Sequence, residues 1–259
     1  MIDMYFLGAL AFESLKSMRP LIFALAICVL IEFLWPRARF TLADRLPGFW
    51  FILAMPLFAA FAAPLLYTMA GAAGIGPFFD ARSLSPIVAV VLIVITIDFL
   101  SYWEHRFEHR FWWRIHSVHH ATRDMHAAMN YGHPIQYLGE FLWISIPLVA
   151  LGLGSFEVPF AVTVYRCFHS MFNHTSTPMH FGPLRRIFVD NRYHRIHHSA
   201  ESRHFGHNFG TIFTIWDQLF GTAYFPSASE WPATGVDRLD PPRSFGEYLS
   251  YPLSKRDAS

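Results

Sequence analysis

The sequence predicts an all-α integral membrane protein in which transmembrane helices are capped by a cytoplasmic, histidine-rich helical domain. Two observations support this fold class. Hydrophobic residues make up 53% of the 259 residues and charged residues 15%, whereas a soluble domain is about a quarter charged. All 15 histidines lie between His105 and His207, so a polar, histidine-rich segment follows the most apolar part of the chain.

Three apolar runs precede the first histidine. Residues 49–70 contain no charged residue, and residues 86–103 contain only Asp98. A membrane-spanning helix needs about 20 apolar residues, so both runs predict transmembrane helices. Residues 21–35 form a shorter run with Glu32 near its end, and they predict a further span.

A fourth apolar stretch covers residues 138–172 and is interrupted near its middle by Gly152, Gly154 and Ser155. Clusters of glycine and serine mark turns between regular elements. The stretch therefore predicts a helical hairpin that enters and leaves the membrane. The alternative interpretation is a hairpin buried in the core of a soluble protein.

The distribution of arginine predicts the orientation in the membrane. Linker 36–48 holds three arginines and one aspartate, whereas linker 71–85 holds one of each. Because cytoplasmic loops carry an excess of basic residues, we expect the first linker and every histidine cluster on the cytoplasmic side. A bacterial inner membrane and the endoplasmic reticulum both suit this arrangement. The histidine-bearing segments add Arg106, Arg110, Arg114, Arg123, Arg185, Arg186, Arg192, Arg195 and Arg203.

These patterns divide the chain into three segments. We expect N-terminal membrane helices over residues 1–85. A central domain over residues 86–225 combines a membrane helix, the hairpin and the histidine cap. The remaining residues, 226–259, are rich in proline, serine and charge, and they predict a surface tail.

Eight histidines fall into three clusters with helical spacing. The clusters are His105-x3-His109, His116-x2-His119-His120 and His194-x2-His197-His198. Imidazoles at positions i, i+3 and i+4 project from one face of a helix, and neutral imidazole binds iron, zinc, copper and nickel. One such cluster alone is compatible with a solvated helix face. Three together predict a site for two metal ions.

Four other residues are candidates for the same site. His169 and His174, near the end of the apolar hairpin, are candidate metal ligands. Asp98 and Tyr102 share a helical stripe with His105, and we regard them as candidate catalytic residues. A carboxylate in an apolar helix is costly, so Asp98 is expected to accept a ring N–H from His105 or a neighbouring histidine. The alternative is a hydrogen bond that serves helix packing. The remaining histidines are expected to be structural, surface or hydrogen-bonding residues: His126, His133, His180, His204 and His207.

Six motifs with characteristic spacing lie between about residues 93 and 225. They are Asp98-Phe-Leu-Ser-Tyr-Trp-Glu-His105-Arg-Phe-Glu-His109, Trp113-Arg-Ile-His116-Ser-Val-His119-His120, Phe172-Asn-His174, His194-Arg-Ile-His197-His198-Ser, Asn208-Phe-Gly210 and Trp216-Asp217-Gln-Leu-Phe-Gly-Thr222. Through these motifs the chain resembles the fatty acid hydroxylase / sterol desaturase superfamily. The chain departs from the family at Gln136, where the family often has glutamate in a His-Pro-x-Glu motif.

The resemblance implies a membrane-bound enzyme with two iron ions that uses O2 to hydroxylate or desaturate a lipid. Zinc could occupy the same site after purification. The reaction also needs electrons, yet the sequence contains no dinucleotide-binding motif and no cysteine set for an iron–sulfur cluster. The resemblance therefore implies a separate carrier, of the ferredoxin or cytochrome b5 type, with its reductase.

The sequence leaves several alternatives open. Within the family, hydroxylation, desaturation and cleavage of an ether lipid share the same ligands. Outside it, a membrane metal transporter or metal-binding protein and a zinc hydrolase also use histidine. Transporters place their ligands near the middle of the bilayer, whereas these histidines follow the apolar runs. Zinc hydrolases normally need three ligands, whereas the three clusters alone supply eight histidines. The sequence contains no basic segment with interleaved aromatic residues, so we do not expect it to bind nucleic acid.

Overall fold

The computed structural model describes residues 4–79, 81–155 and 158–254, and within them the chain is helical. Strand-like pairing in this part is confined to two isolated bridges, Phe188 with Phe213 and Ser199 with Thr234. The all-α fold class is therefore confirmed for the described residues. Asp80, which entered the orientation argument, lies outside them, as do both ends of the chain.

Ten α-helices run through the described residues. They are α1 (Met4–Leu34), α2 (Leu42–Ala72), α3 (Pro86–Phe111), α4 (Trp113–His120), α5 (Gln136–Glu140), α6 (Ile146–Ala150), α7 (Phe160–Asn173), α8 (Asn191–His197), α9 (Ile215–Leu219) and α10 (Phe245–Ser254). A π-helical turn, Phe141–Ser145, joins α5 to α6. Short 3₁₀ turns occur at Ala81–Ser83, Ala127–Met129, Leu153–Ser155, Gly182–Arg186 and Ser202–His204.

Helices α2 and α3 contain the predicted spans 49–70 and 86–103, and in the described part both are long and apolar enough to cross a membrane. In their most apolar windows only 17% and 28% of the residues are buried inside the protein. Most residues of these windows are therefore at least partly exposed, as expected for contact with lipid. Residues 21–34 of the third predicted span, 21–35, lie in α1, which ends at Leu34.

Local sequence explains where the two long apolar helices begin. Thr41 and Asp44 form a capping box at the start of α2: the Thr41 hydroxyl accepts from the Asp44 amide at 3.3 Å, and the Asp44 carboxylate accepts from the Thr41 amide at 2.7 Å. Ser85 caps α3, and Pro86 occupies its first turn, where the missing amide hydrogen is not needed.

The predicted hairpin is present as two helical arms. The first arm comprises α5, the π turn and α6, and the second arm is α7. Gly152 lies between them with φ of 69°, and an added Cβ would come within 2.2 Å of the Phe79 carbonyl oxygen. Only glycine fits this turn. The interruption expected from Gly152, Gly154 and Ser155 is therefore confirmed.

The predicted surface tail needs a correction. Tyr248 and Tyr251 of α10 belong to the main hydrophobic core, which also includes Phe51 of α2 and Val118 of α4. The Phe51 and Tyr248 rings stack with centroids 4.4 Å apart. Residues 226–259 are therefore not a surface tail throughout. The proline and charged residues of this region did not indicate the amphipathic helix α10.

A buried ion pair ties the N-terminal helices to the histidine-bearing part. Arg45 of α2 donates to Glu32 of α1, and the Glu32 side chain has no solvent exposure. The second Glu32 oxygen accepts from the backbone amides of Ala127 at 3.1 Å and Ser176 at 2.8 Å. One carboxylate therefore joins two long helices and two loops.

We predict that Glu32→Gln strongly destabilises the protein. The substitution leaves the Arg45 guanidinium buried without its counter-charge, and breaking a buried ion pair in this way costs about 3–5 kcal/mol. Thermal unfolding in detergent measures the effect. Glu201→Gln is the matched control, because its ion pair with Arg203 is exposed, and it should melt near the wild-type temperature. Equal melting temperatures of the two variants would contradict a stabilising role for the ion pair of Glu32 with Arg45.

Candidate metal centre

Five of the clustered histidines meet in a first group. His105 and His109 come from α3, His116 and His120 from α4, and His197 from α8, with all five ligand atoms within 4.8 Å of one another. Trp112 interrupts the helix between α3 and α4, so α4 lies back against α3. The first group therefore joins residues that are far apart in the sequence.

The ring nitrogens of the first group are closely and uniformly spaced. Five pairs of Nε2 atoms lie 3.1 Å apart, namely His105 with His116, His116 with His120, His120 with His109, His109 with His197, and His197 with His120.

Hydrogen bonds at the opposite ring nitrogen fix the tautomer of these imidazoles. His105 Nδ1 lies 2.9 Å from the Phe209 carbonyl oxygen, and His197 Nδ1 lies 2.9 Å from the His207 carbonyl oxygen. Because a carbonyl oxygen can only accept, each Nδ1 carries the hydrogen. The Nε2 atoms then hold lone pairs that face one another, and this is the arrangement that a metal ion requires.

Four other histidines form a second group. His119 of α4, His174 after α7, and His194 and His198 of α8 and its C-cap have ligand atoms within 4.8 Å of one another. Their Nε2 atoms are 3.3 Å apart from His119 to His174, 3.2 Å from His174 to His194 and 3.1 Å from His194 to His198. His119 Nδ1 donates to the Tyr131 carbonyl and His174 Nδ1 to the Ser170 carbonyl, each at 2.9 Å.

The spacing of these nitrogens fits a metal ion with several histidine ligands. With metal–nitrogen bonds of about 2.1 Å, ligands at right angles are about 3.0 Å apart, whereas tetrahedral ligands are about 3.4 Å apart. The 3.1 Å spacing of the first group fits right angles, as in five- or six-coordinate sites. The first group therefore suits a metal that accepts more than four ligands, whereas the spacings of the second group, 3.1–3.3 Å, lie between the two geometries.

Burial keeps the imidazoles uncharged. It lowers the pKa of His197 and His198 well below the ordinary value, and repulsion from neighbouring histidines adds to the effect. The same two causes lower the pKa of His116 and His120. Neutral imidazole is the form that binds metal, so these rings need not lose a proton first. The two groups adjoin, since the His120 and His198 rings stack with centroids 4.3 Å apart.

Glu108 of α3 contacts the first group at His116 Nδ1, on the side of the ring away from the converging Nε2 atoms. One of its carboxylate oxygens lies 2.8 Å from His116 Nδ1, and the other accepts from the Gln136 amide at 2.8 Å. Carboxylates that hold a ligating imidazole in this way orient the ring and raise its basicity. Gln136, where the family often has glutamate, contacts both residues, because its amide nitrogen also lies 3.0 Å from His116 Nδ1.

The structure corrects the expectation for Asp98. Its carboxylate accepts from the Thr211 hydroxyl at 2.6 Å, the Ile212 amide at 2.8 Å, the Phe213 amide at 3.0 Å and the Trp216 indole at 2.8 Å. The expected bond to His105 or a neighbouring histidine is wrong, because these four donors occupy both oxygens. Asp98 lies on a side of α3 that faces the loop after Phe209.

Tyr102 is also directed towards the C-terminal loop. Its hydroxyl pairs with the Thr222 hydroxyl at 2.9 Å and accepts from Arg106 at 3.1 Å. Its ring stacks on Phe220 with centroids 5.4 Å apart. No described contact joins Tyr102 to a histidine of either group, so its contacts give no support to a catalytic role.

Asp217 holds the loop that supplies the carbonyl partners. It accepts from the Phe209 amide at 2.9 Å, the Gly210 amide at 2.8 Å, the Thr222 hydroxyl at 2.6 Å and the Tyr193 hydroxyl at 3.1 Å. The loop residue Asn208 has φ of 62°. Asp98 and Asp217 together fix the loop from His207 to Asp217, and thereby the rings of His105 and His197.

His169 lies outside both groups, contrary to the expectation that it is a ligand. Its Nδ1 is 3.3 Å from the Tyr165 hydroxyl, and its ring lies against Phe181. His174 follows five residues later and points to the opposite side, as expected for that separation on a helix. His133 bonds the Leu249 carbonyl at 3.1 Å, in line with the structural role expected for it.

A cavity of about 410 Å³ opens beside the two groups. His105, His116, His119, His174 and His194 form one wall. The cavity is also lined by Glu104, Glu108, Glu140 and Arg166. Sequence reasoning missed Glu140 and Arg166, although both are charged residues within an otherwise apolar hairpin, a signal that usually marks a functional site.

Comparison with known proteins gives three observations. The sequence profile of the family described as fatty acid hydroxylase matches residues 90–222, just over half of the chain. An ornithine lipid hydroxylase from Rhizobium tropici is 32% identical over 171 residues, which cover 64% of this chain and 51% of that protein. An alkylglycerol monooxygenase from Caenorhabditis elegans is 31% identical over 132 residues, covering 48% and 25%.

A methylsterol monooxygenase from Arabidopsis thaliana is 29% identical over 146 residues, which cover 54% of this chain and 47% of that protein. The chain thus spans about half, or less, of the length of these relatives. No solved structure matches the chain.

We predict that Asp217→Asn selectively weakens metal binding by the first group. The amide NH2 would replace one carboxylate oxygen and face the two groups that donate to that oxygen, and each buried group left unpaired costs about 1–3 kcal/mol. Elemental analysis should find about half of the wild-type metal, because the carbonyl partners of the second group, on Tyr131 and Ser170, lie outside this loop. Asp237→Asn is the control, since that carboxylate is exposed. Full metal content in Asp217→Asn would exclude the positioning role.

A second pair of variants separates the two hairpin histidines. His174→Ala removes an Nε2 atom from the second group and should lower the metal content by about one ion per chain. His169→Ala should retain both ions, because its ring belongs to neither group. The same elemental analysis measures both. Metal loss in His169→Ala with retention in His174→Ala would reverse this assignment.

Proposed function

Because the chain belongs to the fatty acid hydroxylase family, we propose that it is a membrane-bound oxidoreductase that uses O2 and two iron ions to hydroxylate or desaturate a lipid. One observation carries the proposal. Nine Nε2 atoms converge in two adjoining groups, and carbonyl oxygens or a carboxylate hold the Nδ1 hydrogen of five of the rings. Such a donor set suits iron.

The nine histidines divide between the two ions. The first ion would be held by His105, His109, His116, His120 and His197, and the second by His119, His174, His194 and His198. When bound, iron supplies the redox chemistry that activates O2 for oxidation of a C–H bond. Zinc could replace it during purification, since imidazole also binds zinc.

The protein's own residues orient and shield this centre. Glu108 holds the Nδ1 hydrogen of His116, and its charge offsets part of the positive charge of the bound ions. The loop fixed by Asp98 and Asp217 keeps His105 and His197 in position. Eight of the nine histidines are buried and His109 is half-buried, and restricting water protects a reactive centre from side reactions.

The cavity beside the histidines is the proposed substrate site. Ile97 of α3 and Ile144 and Leu148 of the hairpin supply its apolar surface. The names of the relatives refer to ornithine lipids, alkylglycerols and methylsterols. We propose that this chain likewise oxidises a lipid, which would enter from the bilayer beside α3. Hydroxylation, desaturation and ether cleavage share this site.

We further propose a multi-pass topology with the metal centre on the cytoplasmic face, as the arginine distribution suggests. A separate ferredoxin or cytochrome b5 type carrier, with its reductase, would supply electrons there. Arg110 and Arg114 are exposed at the junction of α3 and α4, next to His109 and His116. Such a basic surface would attract an acidic carrier; anionic lipid headgroups are the alternative partners.

The decisive experiment combines metal analysis with O2 uptake. The detergent-purified protein should contain about two iron ions per chain and consume O2 when a reductant and a lipid extract are supplied. His197→Ala should lose iron and lipid-stimulated uptake, because it removes a nitrogen from the first group. His180→Ala, an exposed histidine outside both groups, is the control.

Mass spectrometry of the extract identifies the product, with an ornithine lipid and an alkylglycerol as defined substrates. A protein without stoichiometric metal would refute the metal centre. Iron-loaded protein without O2 uptake on any lipid would refute the oxidoreductase and leave a metal-binding or transport role.

A further inference from the structure

The histidine-bearing part of the chain presents an apolar surface beside α3. It comprises Leu184 and Ile187 of one short segment and Ile215 and Leu219 of α9, and we call it the leaflet patch. We propose that the leaflet patch is embedded in the bilayer leaflet on the side of the histidines, where lipid acyl chains cover it. The proposal rests on α3 crossing the membrane and is independent of the metal chemistry.

The four side chains of the leaflet patch are large, apolar and exposed. Leu184 is 57% exposed, Ile187 51%, Ile215 47% and Leu219 65%. Single exposed apolar residues are common on soluble proteins, whereas a group of them marks contact with another protein or with a membrane. The leaflet patch therefore needs a partner.

Two hydrogen bonds hold the two segments of the leaflet patch together. The Thr214 amide donates to the Ile187 carbonyl at 3.0 Å, and the Gln218 side-chain amide donates to the Arg186 carbonyl at 2.9 Å. The first bond lies just before α9 and the second within it. The two segments therefore form one continuous surface.

The orientation of α9 is fixed from its buried side. Asp217 is fully buried and lies two residues from both Ile215 and Leu219. Residues two apart on a helix do not share a face, whereas residues four apart do. Because Asp217 is held inward by its hydrogen bonds to the Phe209 and Gly210 amides, the two apolar side chains must point outward together.

Asp98 places the start of α9 at the depth of the membrane. The apolar part of α3, residues 86–103, is about 27 Å long, close to the hydrocarbon thickness of about 30 Å. Asp98 lies within this part, about 8 Å before its end. The Ile212 and Phe213 amides and the Trp216 indole donate to its carboxylate. The loop and α9 therefore lie beside the apolar part of α3.

The exposed side of α3 leads directly to α9. Ile87, Val91 and Ile95 follow one another at intervals of four residues and are 78%, 50% and 42% exposed. Phe99 is the next residue on the same helix face, and its ring meets the Trp216 ring edge-on with centroids 5.0 Å apart. Lipid in contact with this face of α3 would therefore also reach α9.

The loop before α9 has the backbone pairing that a non-helical segment needs at membrane depth, where water cannot satisfy amide groups. The Ile212 and Phe213 amides donate to Asp98 at 2.8 Å and 3.0 Å. The Thr214 amide donates to the Ile187 carbonyl. A carboxylate in an apolar helix usually marks a function, and here Asp98 pairs the backbone of a loop that lies at membrane depth.

Aromatic and basic side chains border the leaflet patch. Trp103 and Trp216 are half-buried, and Arg186 is exposed. Tryptophan and basic residues are enriched where a protein passes from acyl chains to headgroups. A second protein could also cover apolar side chains, but the depth set by Asp98 favours lipid.

Fluorescence quenching in bilayers tests the proposal. The full chain with Cys167→Ala is the parent, because Cys28, the other cysteine, is buried. Leu219→Cys and Ile187→Cys sample the two segments of the leaflet patch. Each variant is labelled with the fluorophore NBD and reconstituted in phosphatidylcholine vesicles. Phosphatidylcholine with a nitroxide on its acyl chain quenches the label from the lipid, and iodide quenches it from water.

Two further labelled variants calibrate the result. Ile95→Cys reports lipid contact on α3, and Asp237→Cys reports water, because that carboxylate is charged and exposed. Both labels in the leaflet patch should be quenched at least about threefold more by nitroxide lipid, and threefold less by iodide, than the label at Asp237, since apolar interfacial faces lie about 5–10 Å into the boundary between headgroups and acyl chains. Melting temperatures equal to that of the parent establish that each variant is folded.

Iodide quenching at Leu219 and Ile187 equal to that at Asp237 would overturn the proposal. Protection from both quenchers would also overturn it, and would assign the leaflet patch to a protein partner or to a second copy of the chain. Neither result bears on the metal centre, which iron analysis and O2 uptake test separately.

Discussion

Hydrogen bonds between the Nδ1 atoms of buried histidines and main-chain carbonyl groups are the constraint on which the rest of the site depends. At His105, His119, His174 and His197 such a bond fixes the hydrogen on Nδ1 and leaves the Nε2 lone pair for a metal. If the hydrogen were on Nε2, neighbouring rings 3.1 Å apart could not all present lone pairs to one ion. The metal centre is thus prepared by backbone geometry.

The carbonyls are themselves positioned by carboxylates that never touch a ligand. Asp98 and Asp217 each accept four hydrogen bonds in or around the loop that presents the Phe209 and His207 carbonyls. Glu32 performs the same task farther away, by joining α1 and α2 to backbone amides of two loops. Buried carboxylates are costly unless fully paired. Their complete pairing here explains how a largely apolar chain holds a polar site rigidly.

Neutral histidines and charged residues occupy different positions around the site. Nine neutral histidines would receive the metal ions, and the one carboxylate in contact with a ligand, Glu108, does so through His116. Glu104, Glu140 and Arg166 line the cavity beside the histidines. Neutral ligands would leave the positive charge of a bound metal ion largely uncompensated, which would favour an oxidising centre.

The sequence by itself indicated the long apolar helices, the break in the hairpin stretch, and eight of the nine histidines through their three clusters, because helical periodicity and hydropathy are local properties. His174 was also found, through its position at the end of the hairpin. The division of ligands into a group of five and a group of four was decided only by the tertiary structure, since His119 and His120 are neighbours in the chain yet belong to different groups. The same holds for His169, for the roles of Asp98 and Tyr102, and for the burial of α10. Each depends on which segments pack together, and contacts between residues distant in sequence leave no periodic signal in one chain.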